Sequence, residues 1–386
     1  MVWRREFYLV FHDVGVMLFF FGLPLAYPIV YTLIYNPEIV KEQPIAVVDH
    51  SRTAASRNLT RMVDATQAIK VYGYANSLDE ARTMMNEKTV YGILLIPDDY
   101  EKQIGRGEVP TVTFYSDMSL LLRYRAFGFA LTGVQLALGE QMRAATTDRL
   151  GLIADAAPSV SIKQEAVMMG DPTQGFASFV IPGIIVLILQ QSMLLGITML
   201  NAGSSERRRR NGGIDPLAVP APPSAVLIGK SLCYLLLYIP MLLYILHLVP
   251  LMFSLPHLGN VWHYLIYMLP MLTASIMLGI SISAFVTERE TSLLVVVFTS
   301  VIFLFISGLT WPRYAMNGFW TLLGDCIPAV WGMEGFIRMN SNGASLLDES
   351  HGFMMMWILT AIYAIPAYIL TRYRDRYGRL RAGQLI

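Results

Sequence analysis

Six apolar runs dictate what this chain can become: residues 14–35, 176–200, 225–249, 261–286, 292–309 and 353–370. At 1.5 Å of rise per helical residue, each is about long enough to cross the ~30 Å hydrocarbon core of a bilayer. A segment in lipid must satisfy its own backbone polar groups, so runs of this length are helices. The whole chain of 386 residues is 54% hydrophobic and only 15% charged, where a soluble domain is roughly a quarter charged. The expected fold class is a polytopic α-helical membrane protein with six transmembrane helices and an inserted α/β extracytoplasmic domain. The net charge of +1 averages over a sharp segregation and points to no nucleic-acid partner. Two cysteines, Cys233 and Cys326, without CxxC spacing argue against a disulfide framework or a zinc site.

Orientation follows from arginine. Arg207, Arg208, Arg209 and Arg210 stand between the second and third runs, and such a cluster beside a span is retained in the cytoplasm. With six spans both termini fall on that side. Arg4 and Arg5 at the start, and Arg372, Arg374, Arg376, Arg379 and Arg381 against the single acid Asp375 at the end, agree with it. The loop 251–260 carries no Lys or Arg, as an outer loop should. The expected map is therefore a cytoplasmic interfacial helix at 1–13, an uncleaved first span at 14–35, an extracytoplasmic α/β domain at 36–175, and a five-helix transmembrane region at 176–371. That region includes a cytoplasmic coupling segment at 201–224 and an outer re-entrant or interfacial segment at 310–352. A cytoplasmic basic tail follows at 372–386. Residues 1–13 mix Trp3, Phe7, Leu9, Val10 and Phe11 with Arg4, Arg5 and Glu6, the pattern of a helix lying in the membrane surface. Pro24 and Pro28 are expected to kink the first span.

Between residues 36 and 175 the composition turns soluble. β-Branched runs predict strands at 45–48, 69–74, 90–96 and 111–115. Ser77 with Glu80 reads as a capping box, and Pro97, followed by Asp98 and Asp99, suits the first turn of another helix. A longer helix is expected over about 119–150, and a linker with Pro158 and Pro172 over 155–175. Strands alternating with helices imply a small α/β domain, whose strand order is not readable. The segment 310–352 holds Trp311, Trp320, Trp331, Pro312 and Pro328 with Arg313, Asp325, Glu334 and Arg338, and reads as short helices at the outer membrane surface.

Candidate sites are few. Ser224 through Gly229, Lys230 and Ser231 narrowly misses the phosphate-loop pattern: Ser224 replaces the first glycine and no strand precedes it, so Lys230 reads as a snorkelling lysine at a span entrance. Any ATPase is therefore another polypeptide. Gln190 and Gln191 lie mid-span, where a polar group faces protein or water; an inter-helix hydrogen bond is the first reading and a substrate-path contact the second. Glu288, Arg289 and Glu290 form a solvated turn or a second partner contact. The six histidines show no metal spacing, the sequon at Asn58 carries no functional weight, and no catalytic arrangement is present.

The ensemble resembles the permease subunit of bacterial ABC exporters of the type-2 class, in the branch with a large outer domain after the first span. Glu206 and Arg207 with Gly212 and Gly213, then Gly229 and Lys230, resemble the coupling segment. Residues 91–97 through Tyr100, then Gly107 and 112–117, resemble the outer domain's central strand, helix and strand. Ser307, Gly308, Pro312, Pro328, Arg338 and Gly343 resemble the loop before the last span. Ile214 stands where the family usually has threonine, Asn317 where proline is common, and Pro216 and Pro220 are unusual in the coupling segment. The resemblance implies a half-transporter in the bacterial cytoplasmic membrane. A second permease, identical or homologous, would pair with it. ABC ATPase subunits carrying ATP and Mg would dock on Glu206, Arg207, Arg208, Arg209, Arg210, Gly212 and Gly213, while this chain itself binds no cofactor. Substrates in this branch are hydrophobic or amphipathic, drugs included, and export can involve a periplasmic adaptor protein. The competing class is a membrane-anchored sensor or assembly scaffold with an outer ligand-binding domain.

Overall fold

The computed structural model describes residues 1–35, 40–106, 108–150, 175–255 and 257–382, and the side chains of all of these but 143–150 and 374–382. The expected linker lies outside the described residues except for its last residue, Gly175. The chain divides into two units, 1–38 with 168–386, and 39–167.

Among the described residues, the first unit holds six helices long and apolar enough to cross a membrane. A short helix α1 (Val2–His12) precedes the first of them, α2 (Val14–Tyr35). The others in this unit that bear on the site are α7 (Phe176–Arg210), α8 (Pro223–Met252), α9 (Val261–Ile282), α10 (Arg289–Ile306), and the last, α13 (Ser350–Ala382). Between α10 and α13 lie α11 (Gly318–Asp325) and α12 (Pro328–Asn342). Helix α7 is the most buried span and packs against α2, α9, α10 and α12. It is also ten residues longer than its apolar run, so Arg207–Arg210 form its last turn rather than a loop. Cations there oppose the negative end of the helix dipole.

The prolines act at a distance. In α2 the turn Leu18–Gly22 is a π-turn, closed by the Leu23 N–H on the Leu18 carbonyl, and Pro24 follows two residues after Gly22. In α8 the same spacing recurs: π-turn Tyr244–Leu248, the Val249 N–H on the Tyr244 carbonyl, then Pro250. A proline ring crowds the carbonyl four residues back and offers it no N–H; a wider turn just upstream accommodates both defects. Pro28 stays inside regular helix, where the Thr32 hydroxyl donates to its carbonyl at 2.7 Å.

The second unit carries a four-stranded sheet in the order β2-β1-β3-β4. Its strands are β1 (Gln43–Asp49), β2 (Ile69–Tyr74), β3 (Gly92–Ile96) and β4 (Thr113–Ser116). β1 runs parallel to β2 and β3, and β4 is antiparallel to β3. Side chains alternate faces along a strand. Ile45 and Val47 enter one core with Leu59 and Val63 of α3 (Ala54–Asp64) and Phe127 of α6 (Leu121–Leu150). Ala46 and Val48 enter the other with Ala81 of α4 (Leu78–Asn86). Both faces are thus covered, which is why the central strands β1 and β3 lack a polar side.

Two local expectations need correction. Pro97 does not open a helix: residues 98–99 turn, and α5 is Tyr100–Arg106. The Ser77 box is half made. Its hydroxyl accepts from the Glu80 N–H at 3.2 Å, but Glu80 reaches back to the Asn76 N–H, at 2.7 Å.

Candidate functional site

The polar groups of the first unit converge where α1, the end of α7 and the start of α8 meet. α1 buries Val2, Glu6, Leu9 and Val10, a helical face in which one position is a carboxylate. Glu6 is 1% exposed. Its Oε2 accepts from the Tyr234 hydroxyl at 2.9 Å, while Oε1 lies 3.6 Å from Lys230 Nζ and 3.4 Å from Arg5 Nη1. The approach of α1 to α8 depends on Gly229, because a Cβ there would lie 2.8 Å from Val2 Cβ. Lys230 Nζ also donates to Asn201 Oδ1 at 2.7 Å, and Asn201 Nδ2 donates to the Ser283 hydroxyl at 2.8 Å. The lysine is thus a cross-link rather than a snorkelling side chain.

Asp215 is the second centre. Its carboxylate accepts from Arg5 Nη2 at 2.9 Å, Arg207 Nε at 3.1 Å, the Ser204 hydroxyl at 2.6 Å and the Leu217 N–H at 3.1 Å. Burial alone raises the Asp215 carboxyl, but the hydrogen bonds from Arg207, Ser204 and Leu217, with the Arg207 charge, outweigh it and hold the group below the usual carboxylate range. Arg5 bridges the two carboxylates, so α1 and the end of α7 share one ionic network.

The four arginines separate. Arg207 is committed to Asp215. Arg209 and Arg210 are exposed, Arg209 pairing with Glu288 at 3.0 Å. Arg208 lines a cavity of about 70 Å³ with Arg5, Asn201, Lys230 and Leu370. Glu206 accepts from the Arg289 N–H at 3.2 Å, and the Arg289 guanidinium reaches Asp13 at 2.7 Å. The first residue of α10 therefore ties α7 to the junction of α1 and α2. Gly212 and Gly213 have φ of +65° and +103°, and the Gly213 N–H closes on the Arg208 carbonyl at 2.7 Å. This ends α7 in a glycine-dependent C-cap. The stretch 211–222 contains turns and no helix, as its prolines dictate.

Gln190 is fully buried. Its Oε1 accepts from the Ser275 hydroxyl at 3.2 Å and from the Ala329 N–H at 2.6 Å. Ala329 follows Pro328 in the first turn of α12, so Gln190 caps a helix end on another element. Gln191 buries both amide atoms without a hydrogen bond among the described residues. Toward α13, Arg313 pairs with Asp325 and Glu334, and Arg338 with Glu334 and Glu349. This ladder links the short helices that the sequence predicts for this segment, α11 and α12, to the start of α13.

Sequence reasoning missed Glu6, Asp215 and Asn201. Glu6 was visible as the lone acid on an apolar helical face. Asp215, between Gly213 and Pro216, gives no local signal, since its partners come from three segments.

A family model described as "ABC-2 family transporter protein" matches residues 15–369. The chain is also similar to the linearmycin resistance permease protein LnrN of Bacillus subtilis (strain 168), 22% identical over 368 residues, which cover 89% of this chain and 91% of that protein.

Proposed function

The chain belongs to the ABC-2 family of transporter proteins, and on that premise we propose that it is the membrane permease of an ATP-driven exporter, moving hydrophobic or amphipathic compounds outward across a bacterial cytoplasmic membrane. A transport permease role is supported by the family and by the distant resistance permease. Outward direction and substrate class are carried over as part of the proposal. ATP and Mg belong to a separate ATPase subunit, and a second permease, identical or homologous, completes the pathway. A periplasmic adaptor is an optional partner of the outer α/β unit, and both termini are assigned to the cytoplasm. Gln191, with its unpartnered buried amide, is assigned to the substrate path.

The observation that carries this reading is the Glu6–Arg5–Asp215–Arg207 chain. A push on the basic end of α7 reaches α1 through charge-assisted bonds rather than through lipid. Because those bonds are partly buried and directional, α1 and α7 move as one lever when an ATPase dimer closes beneath them. The test is purification of the tagged chain from its native membrane. An ATPase subunit should co-purify, and its hydrolysis, once reconstituted, should drop several-fold in Glu6→Gln without loss of the ATPase from the complex. Absence of any ATPase, with a ligand held by the outer unit, would favour the sensor or scaffold reading.

A further inference from the structure

The first unit contains a second polar cluster that the network above does not use. His247 lies in the π-turn of α8, His257 in the 253–260 connection, and Tyr264 near the start of α9. His247 Nδ1 is 3.1 Å from His257 Nε2, and the Tyr264 hydroxyl is 3.0 Å from the first and 3.3 Å from the second. Three donor atoms thus form a nearly equilateral triangle.

The rest of the connection holds that triangle in place. His257 Nδ1 is 2.6 Å from Asn340 Oδ1. An amide oxygen only accepts, so Nδ1 carries the proton and the Nε2 lone pair of a neutral His257 faces the triangle. The Leu258 N–H donates to the Asn340 carbonyl at 3.0 Å. Gly259 packs so closely on α12 that a Cβ would lie 2.7 Å from the Met339 carbonyl oxygen. Tyr264 and Asn340 are buried, while both histidines are half-buried.

A hydrogen-bonded chain through the Tyr264 hydroxyl satisfies two edges of the triangle and leaves the third without a proton. Three mutual contacts share at most two protons, one on the tyrosine and one on His247 Nδ1. A cation serves all three lone pairs at once. Tetrahedral zinc ligands at about 2.0–2.1 Å stand roughly 3.3–3.4 Å apart, close to the observed edges. Imidazole nitrogen with an oxygen donor suits borderline divalent metals rather than magnesium or calcium. An imidazole whose other nitrogen donates to a fixed oxygen is the usual arrangement of a metal ligand.

We propose that His247 Nδ1, His257 Nε2 and Tyr264 Oη form the protein face of a divalent transition-metal site of the zinc class, with water as the fourth ligand; His247 binds as the tautomer protonated on Nε2, and Tyr264 binds as phenolate, its proton passing to solvent as the metal enters. Bound there, the metal staples α8 and α9 together, and Asn340, as a positioning residue, extends the staple to α12.

The full-length chain, purified without a polyhistidine tag and stripped with chelator, is titrated with Co2+. The expected result is one equivalent bound, with the visible absorption of a tetrahedral site and displacement by Zn2+. His247→Gln and His257→Gln abolish the band, and Asn340→Ala weakens binding about 10–100-fold. Zn2+ raises the melting temperature of the wild type above its value in chelator and leaves His257→Gln at its own chelator value, which separates ligand loss from misfolding. Failure to saturate at one equivalent, or a band that survives both histidine substitutions, overturns the proposal.

Discussion

Replacing Asp215 by asparagine removes one charge from the network while preserving side-chain volume and one acceptor oxygen. The Asp215 side chain is 0% exposed, and Arg5 and Arg207 retain 16% and 25% of theirs. Breaking a buried pair by deleting one partner costs about 3–5 kcal/mol, because the other charge stays buried. Arg5 still faces Glu6, and the partial exposure of both arginines reduces the cost to roughly 2–3 kcal/mol. At about 2–4 °C per kcal/mol for a unit of this size, the melting temperature should fall by roughly 4–12 °C. The assay is thermal unfolding of the purified full chain in detergent, read by thiol labelling of buried Cys233 after exposed Cys326 is changed to serine. The Asp215 carboxyl is held low in the folded state. Its contribution is therefore present above the unfolded value of about 3.9 and is lost as pH falls through the lower folded value. The gap between wild type and Asp215→Asn should be flat near neutrality and close as the medium is acidified below about pH 4. Equal melting at neutral pH, or a gap that persists in acid, would refute the electrostatic account.

The assigned sidedness predicts that, with native cysteines removed, cysteines at Glu101 and Leu258 are labelled by an impermeant reagent in intact cells and one at Asn211 is not. Leu258 is preferred to its neighbour Gly259, where any Cβ meets the Met339 carbonyl, and labelling of Asn211 would reverse the assignment. Changing Arg207–Arg210 together to lysine keeps the charge that orients the spans, so insertion should hold, while reconstituted ATPase activity falls. Arg207→Lys alone should reproduce most of that fall, because Arg207 reaches buried Asp215 whereas the Arg209–Glu288 pair is exposed and such pairs are worth about 0–1 kcal/mol. Wild-type activity in both variants would leave the arginines as a topology signal only. Gln190→Leu should cost about 1–3 kcal/mol by stranding the buried Ala329 N–H, seen as a lower melting temperature with α12 the first element to exchange its amide hydrogens. An unchanged melting temperature would mean that the capping bond contributes nothing.

The sequence alone located all six candidate spans and the four strands to within a few residues, because both signals are local. A bilayer sets the length of an apolar run, and β-branched runs between turn residues announce strands. The ends of α7, α9, α10 and α13 were less legible. Arg207–Arg210 break the apolar run but not the helix, since a helix can leave the membrane without ending; Gly212 and Gly213 mark the true stop. The sheet order β2-β1-β3-β4 was unreadable, because four separate runs do not say which pairs with which. The sites divide in the same way. Arg207–Arg210 were conspicuous as a cluster, yet which of them is committed depends on Asp215, Glu288 and their positions in space. Glu6 and Lys230 are 224 residues apart, and His247 and His257 are separated by nine residues that no metal pattern contains. Composition and periodicity report what a segment must bury. The partner of a buried charge is chosen only when distant helices pack, for the cost of an unpaired buried charge fixes that a partner exists and not where along the chain it lies.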